Sequence, residues 1–502
     1  MFKNKTSFFL LIAATLLYLT GFYFSYSNLF EGFFRMEDFS VVRNLFEYGI
    51  MYASLLVFCS MLYRKKYLRF LPYILLFIIS LNFLISAICR IVYHSSFNSG
   101  MVLSVIDSNV DEALSMSTMF IVPIIICLLF WAFNIYVVKT VSRNPANKFL
   151  VLFSLLWVVF PILFKLKQNY ISNKGGAPMI KSVLYHYNDF EAGIKMQKDL
   201  AKIKKNKIKL NAEKTGKGIN TIVLLIGESV VPKHMQLYGY SIKNTMFQNG
   251  EIPNMQLYEN AVSPAGITNL SVPLMLSTIK PEKFTSNKEE MADNIINFAN
   301  QNGYETYWIS TQTLSGSVTA IASYSKNIKY VNGYDEVAIP VFNQALKNKK
   351  NKLIILHLIG SHPNPCDKIP DAEKVFDENN PFNCYDSSIN YTDKIISKIL
   401  NPLKNEDAVF IYAADHGLKI IDGKYLHTDS KESVKVPFYI WFSPKTKEYA
   451  NKGIVKETTQ TTIIYPKIIE FMGYEPPKNY KNKDLKYLDF GLKTIDYSDL
   501  GD

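Results

Sequence analysis

Three apolar runs in this chain end on residues that can hold a cation or move a proton. "TIVLLIG" leads into Glu228-Ser229, "KLIILHLIG" into Ser361-His362, and "AVFIYAA" into Asp415-His416. Singly, each ending has a plain use: Glu228 or Asp415 could cap a following helix, and His416 could be a satisfied core histidine. Together they form two carboxylates and an imidazole, a donor set that suits zinc. In open α/β sheets, ligands sit beyond the carboxyl ends of the strands, so runs sharing one sheet would bring their endings together. A catalytic metal site leaves a position for water or a nucleophile. "NAVSPAGITNLSVPLMLS" offers three hydroxyls, Ser263, Thr268 and Ser271. The apolar pattern of "SVPLML" predicts a helix, whose N-terminus would favour a phosphate. Thr268 or Ser271 could equally be an N-cap ahead of Pro273, and spacing does not choose among the three. Five of the seven histidines, His234, His357, His362, His416 and His427, lie in this part of the chain, whereas His94 and His186 lie elsewhere.

The elements that must position these residues follow from the pattern after Thr221. The three runs and "ETYWIS" are continuously apolar rather than alternating, as strands buried on both faces are. "EMADNIINFANQNG" reads as a helix ending at Gly303, and "SSINYTDKIISKILNPL" as one stopped near Pro402. Strand and helix alternate, which predicts an α/β domain with a mostly parallel sheet over residues 220–502. Residues 166–219, including "VLYHYNDFEAGIKMQKDLAKIKK", read as an amphipathic connector along a membrane surface or along the soluble domain.

The first 165 residues have another character. Five stretches, near 8–27, 44–63, 70–89, 117–138 and 149–165, approach the roughly 17–25 apolar residues a membrane helix needs. A signal peptide is disfavoured for the first, since no small-residue cleavage site follows and four more stretches do. With the N-terminus inside, inner segments carry Lys3, Lys5, Arg64, Lys65, Lys66, Arg69, Lys139, Arg143 and Lys148, against Arg35, Arg43 and Arg90 outside. That asymmetry places the N-terminus in the cytoplasm and the soluble domain outside it, in the periplasm of a bacterium with two membranes. The net charge of +12 reflects a lysine-rich surface or attraction to anionic lipid, and nucleic acid is a poor partner outside the cell. Cys59, Cys89 and Cys127 lie in apolar stretches as packing residues, while Cys366 and Cys384 are expected to pair in an oxidising compartment.

"LLIGES…HMQLYGYS", "GITNLSVPLMLS", "WISTQ", "HLIGSH", "CYDSSINYTD" and "YAADHG…YLH" follow one another in this order. In this the chain resembles the membrane-bound phosphoethanolamine transferases of the sulfatase and alkaline phosphatase-like superfamily, over essentially its whole length. The resemblance implies five transmembrane helices followed by a periplasmic sulfatase-like α/β domain. It implies zinc on Glu228, Asp415 and His416, with Thr268 as the nucleophile that meets the metal. His362 and His427 would meet the transferred phosphate or a second zinc, and Glu112, in "SNVDEA", the donor headgroup. The implied reaction moves phosphoethanolamine from phosphatidylethanolamine to lipid A or another envelope glycan or protein through a phospho-threonine. Alternatives are phosphoglycerol transfer, phosphodiester hydrolysis, or an inactive membrane-anchored binding protein. Three departures stand out: Leu418 stands where an acid usually follows the DHG motif and no lysine follows the tryptophan strand before Lys326, both of which bear on acceptor contacts, and "CDKIP" replaces an Arg-Tyr-Pro; none touches the implied zinc ligands. A Cys-x-Pro-x-Arg signature is absent, which argues against a formylglycine sulfatase.

Overall fold

The fold is described from a computed structural model. It describes residues 5–25, 39–91, 97, 101–102, 105–106, 110–143, 151–156, 158, scattered positions from 187 to 198, residue 210, and 212–501 apart from 313–315, 378–379, 381, 422–423, 447–451 and 477–484. The chain divides into two compact units, residues 1–98 with 113–191, and 99–112 with 192–502.

Helices Lys5–Ser25, Phe39–Arg64, Leu71–Ile91 and Val110–Arg143 cover the first four predicted stretches. Among the described residues, two spans, Lys66–Cys89 and Phe120–Arg143, are long and apolar enough to cross a bilayer, and Lys5–Thr20 and Tyr48–Arg64 are shorter apolar helices. The fifth stretch is helical at 151–156, and most of the rest of it lies outside the described residues. An apolar cluster that includes Leu11, Leu56, Leu76, Phe130 and Val138 forms the core of this unit, with a buried polar contact inside it. Tyr18 stacks on Tyr52 at 4.0 Å, and the Tyr52 hydroxyl donates to Asn134 Oδ1 at 2.7 Å. Cys59, Cys89 and Cys127 are buried and unbridged. Most of the 166–219 connector lies outside the described residues.

The second unit is built on an eight-stranded sheet. Its order is Gly453–Val455, Met255–Tyr258, Phe438–Phe442, Ala408–Ala414, Thr221–Gly227, Lys352–His357, Glu305–Ser310 and Asn327–Tyr330. The last five of these are mutually parallel. Only Phe438–Phe442 and its partners Ala408–Ala414 and Met255–Tyr258 pair antiparallel. The three strands at the centre, from Ala408, Thr221 and Lys352, are buried at every position. This is what continuous apolar runs require when helices cover both faces. Their register aligns Gly227 with Ala414 and Ile226 with His357, so Glu228 and Asp415 leave adjacent strands side by side.

Tertiary contacts reset two helix boundaries. The helix expected over "EMADNIINFANQNG" runs only from Ile295 to Gln301. Asn294 is extended, forms a bridge with Ser277, and caps the helix by accepting from Asn297 N at 2.9 Å. The helix expected at "SVPLML" starts earlier and spans Thr268–Leu276 with Pro273 inside it. Proline has no N–H for the carbonyl four residues back, here that of Asn269, and the Ser317 hydroxyl donates to that oxygen instead. Cys366 and Cys384 form a disulfide with Cα atoms 4.9 Å apart. It ties the loop to the head of the long helix Asn383–Leu403.

The bridged residues are 18 apart, and closing a loop of that length removes denatured-state entropy worth about 3 kcal/mol. Replacing both cysteines by alanine is expected to lower unfolding stability by roughly that amount. Denaturant titration of the full chain in detergent, with and without reductant, measures it. Reductant should leave the double variant unchanged.

Candidate metal centre

Glu228 follows the central strand and Asp415-His416 follow its neighbour. All three side chains are fully buried. Thr268 opens its helix as the first residue after Ile267, and its Oγ1 lies 3.1 Å from Glu228 Oε2 and 3.2 Å from His416 Nε2. His416 Nε2 is 3.3 Å from Glu228 Oε1 and 3.3 Å from Asp415 Oδ2. Tetrahedral zinc with ligands at about 2.0 Å sets its donors about 3.3 Å apart. The distances from His416 Nε2 to Glu228, Asp415 and Thr268 match the edges of such a site. His416 Nδ1 lies 2.9 Å from the Gly417 carbonyl. A proton on Nδ1 donates there and leaves Nε2 as the ligand atom.

Of the three candidate hydroxyls, tertiary structure separates one. Ser263 Oγ lies against the carbonyls of Asp415 and Ala265, and Ser271 Oγ faces the Thr268 carbonyl at 3.5 Å. Only the Thr268 hydroxyl meets a carboxylate and an imidazole. His427 stands beside the cluster, its ring centroid 4.8 Å from that of His416 and 6.2 Å from that of His362. Glu228, His416 and His427 offer donor atoms that all lie within 4.8 Å of one another. Thr268, His362 and His427 are partly exposed, whereas the candidate ligands Glu228, Asp415 and His416 are buried, as is the Nε2 atom of His427. Glu112 sits in the first turn of the Val110–Arg143 helix, and its side chain lies outside the described residues. His357 is buried beside Trp308 with ring centroids 5.7 Å apart, and His234 is buried against Asp386 at 3.4 Å.

Several supporting residues take their roles only from the tertiary structure. Ser229 has φ of 60°, a conformation costly for a residue with a side chain. Its hydroxyl donates to Glu228 Oε1, its N–H to Asp415 Oδ1 at 3.3 Å, and its carbonyl accepts from Tyr385 at 2.8 Å. Asp335 accepts the N–H groups of Ile359 and Gly360 at 2.9 and 2.8 Å and so fixes the loop that delivers His362. Gly417 has no room for a side chain, because a Cβ would lie 2.6 Å from the Lys435 carbonyl.

The electrostatics favour a cation. Burial works against charge on Glu228, but the imidazoles of His416 and His362 and the hydroxyl of Ser229 outweigh it and hold the carboxyl below the usual carboxylate range. Burial, reinforced by the Glu228 charge, pushes Asp415 up to about 8 despite His416. Burial also opposes charge on His416, yet Asp415 and Glu228 more than restore it and raise its pKa. His427 is driven well below its ordinary value by burial and then by the neighbouring His416 and His362. Asp415 Oδ2 and His427 Nε2 are buried without a hydrogen-bond partner among the described residues. Two close carboxylates, an imidazole lone pair and unsatisfied acceptors together fit a divalent ion.

The Sulfatase family matches residues 220–474, and the family described as the transferase YhbX N-terminal domain matches 39–203. The chain belongs to the sulfatase family. It is 31% identical to YhbX of Escherichia coli K12, which is named only as a transferase, over 81% of this chain and 79% of that one. It is 27% identical to the phosphoethanolamine transferase OpgE of the same organism, over 68% of this chain and 67% of that one. Two solved structures share the fold. The integral membrane lipooligosaccharide phosphoethanolamine transferase A of Neisseria meningitidis aligns over 93% of this chain and 96% of its own with a TM-score of 0.62 at 18% identity. The periplasmic domain of Escherichia coli EptC, solved in complex with Zn, aligns over 58% of this chain and 98% of its own with a TM-score of 0.52 at 21% identity. This sulfatase-family chain is therefore an enzyme homologous to phosphoethanolamine transferases.

Binding a cation here requires Asp415 ionised and His416 Nε2 bare. Both groups have raised pKa values in the free protein, Asp415 about 8. Metal binding must then release protons, and zinc affinity is expected to strengthen as pH rises from about 6 to 9. Calorimetric titration with zinc in buffers of different ionisation enthalpy counts the protons. An affinity independent of pH would place Asp415 outside the ligand set.

Proposed function

We propose that this chain transfers phosphoethanolamine from phosphatidylethanolamine to an envelope acceptor, lipid A or another surface glycan or protein, through a covalent phospho-Thr268. The single observation that carries this reading is the Thr268 hydroxyl, lying 3.1 Å from Glu228 and 3.2 Å from His416. The names of OpgE and of the two solved transferases support the group that is moved.

Glu228, Asp415, His416 and Thr268 would hold a zinc ion, which when bound lowers the pKa of the hydroxyl beside it. Thr268 Oγ1 then attacks the donor phosphorus as its proton passes to a neutral imidazole of the His362–His427 pair; a P–O bond to Thr268 forms, and the P–O bond to diacylglycerol breaks as that proton moves to its oxygen. Diacylglycerol leaves with a proton on its oxygen. Neutral His427, with His362 beside it, faces the phosphoryl oxygens. An anionic phosphodiester raises the proton affinity of these imidazoles, so they stabilise the developing charge or protonate the leaving oxygen. In the second step an acceptor oxygen attacks the same phosphorus and Thr268 regains its hydroxyl. A carboxylate at Glu112 would pair with the donor ammonium.

The same reading assigns five membrane spans to residues 1–165 and a juxtamembrane connector to 166–219. The N-terminus would be cytoplasmic and the catalytic domain, 220–502, periplasmic at the inner membrane. The spans would keep the site at the lipid surface where the donor resides. The excess of basic residues in the inner segments supports this orientation.

Purified full-length protein incubated with phosphatidylethanolamine should gain the mass of one phosphoethanolamine and release diacylglycerol. Thr268→Ala should do neither, while Ser263→Ala and Ser271→Ala should still form the adduct if folded. Intact-mass spectrometry and lipid analysis read both products. Release from phosphatidylglycerol instead would make the chain a phosphoglycerol transferase, and an adduct that survives in Thr268→Ala would remove Thr268 from the reaction.

A further inference from the structure

Each oxygen of Glu228 has its own uncharged donor. Ser229 Oγ donates to Oε1. Gln312 Nε2 donates to Oε2 at 3.0 Å and to the Leu358 carbonyl at 2.8 Å. Both partners of that amide nitrogen are pure acceptors, so the orientation of the amide is set chemically. The same Oε2 is the oxygen that faces Thr268 Oγ1, at 3.1 Å. Gln312 follows the Glu305–Ser310 strand, and the Leu358 carbonyl belongs to the loop after Lys352–His357. The amide therefore joins two strand ends to the carboxylate of a third.

We propose that Gln312 is a positioning residue for the metal centre, holding Glu228 Oε2 toward Thr268 without neutralising its charge. The inference rests on the metal reading above. A neutral donor fixes the rotation of the carboxylate and leaves its full charge for a cation. A lysine there would also donate, but would compete with the metal for that charge. Outer hydrogen bonds of this kind typically contribute 10–100-fold to metal affinity.

The test is zinc affinity of the full chain in detergent, measured by competition with a chromophoric chelator. Gln312→Met keeps length and removes the donor, and should weaken zinc binding about 10–100-fold. Gln312→Lys keeps a donor and should bind zinc more weakly than Gln312→Met. A role confined to bracing the Leu358 loop predicts the reverse order, with lysine restoring binding. Gln312→Lys binding zinc as well as wild type, or both variants within twofold of it, overturns the proposal. Glu228→Gln is the control. If it loses zinc while the Gln312 variants do not, only the positioning role fails. If it too keeps zinc at wild-type affinity, the metal reading fails.

Discussion

Two carboxylates buried side by side, with nothing positive between them, are unstable as a charged pair. Glu228 and Asp415 are in that position because they end neighbouring parallel strands in register. In the free protein the neighbouring imidazoles favour charge on Glu228, burial and the Glu228 charge disfavour it on Asp415, and the two carboxylates favour the cationic form of His416. A divalent cation would offset the same repulsion, which is the basis for the proposed ligand set of Glu228, Asp415, His416 and Thr268. Much of the surrounding structure consists of ways to keep that cluster from relaxing apart.

Several of these restraints are backbone devices. Ser229 is held at positive φ by Tyr385 on one side and Asp415 on the other. Asp335 spends a buried carboxylate on the N–H groups of the loop before His362. Ser317 satisfies the carbonyl that Pro273 leaves without its helical donor, so the Thr268 helix can start where the site needs it. Such positions are costly in local energy and recur around sites that must be rigid.

The accessible face has a different character from the floor. The candidate ligands Glu228, Asp415 and His416 are buried, whereas Thr268, His362 and His427 are partly exposed. His427 is kept neutral by burial and by its imidazole neighbours, so it stands ready to respond to an anionic group. A floor that concentrates negative charge and a rim of imidazoles suit a phosphodiester better than a neutral ester, because the rim can take up charge as the phosphoryl oxygens gain it. The uncharged Gln312 belongs to the same design, since it restrains a ligand without consuming its charge.

The strands could be read from the chain alone. A strand buried on both faces has to be continuously apolar, and "TIVLLIG", "KLIILHLIG" and "AVFIYAA" leave little else to be. That the runs lead into Glu228, His362 and Asp415-His416 was visible for the same reason, because charge is costly within such a strand, though Lys352 is buried at the start of one and the Lys352–His357 strand stops short of His362. Helix ends were less legible: Asn294 is drawn into a bridge with Ser277, and the Thr268 helix begins ahead of the pattern that signalled it. Three hydroxyls of similar local standing, Ser263, Thr268 and Ser271, could not be ranked by spacing, since what separates them is which distant oxygen each one faces. Gln312 and Tyr385 lie within motifs that carry the family resemblance, but their roles, like that of Asp335, emerge only when other strands bring their partners to them. Sequence determined which residues could bear charge at the strand ends; only the register of parallel strands and the crossing of their loops decided which of them meet, because hydrogen-bond and ligand distances are set between segments, not along them.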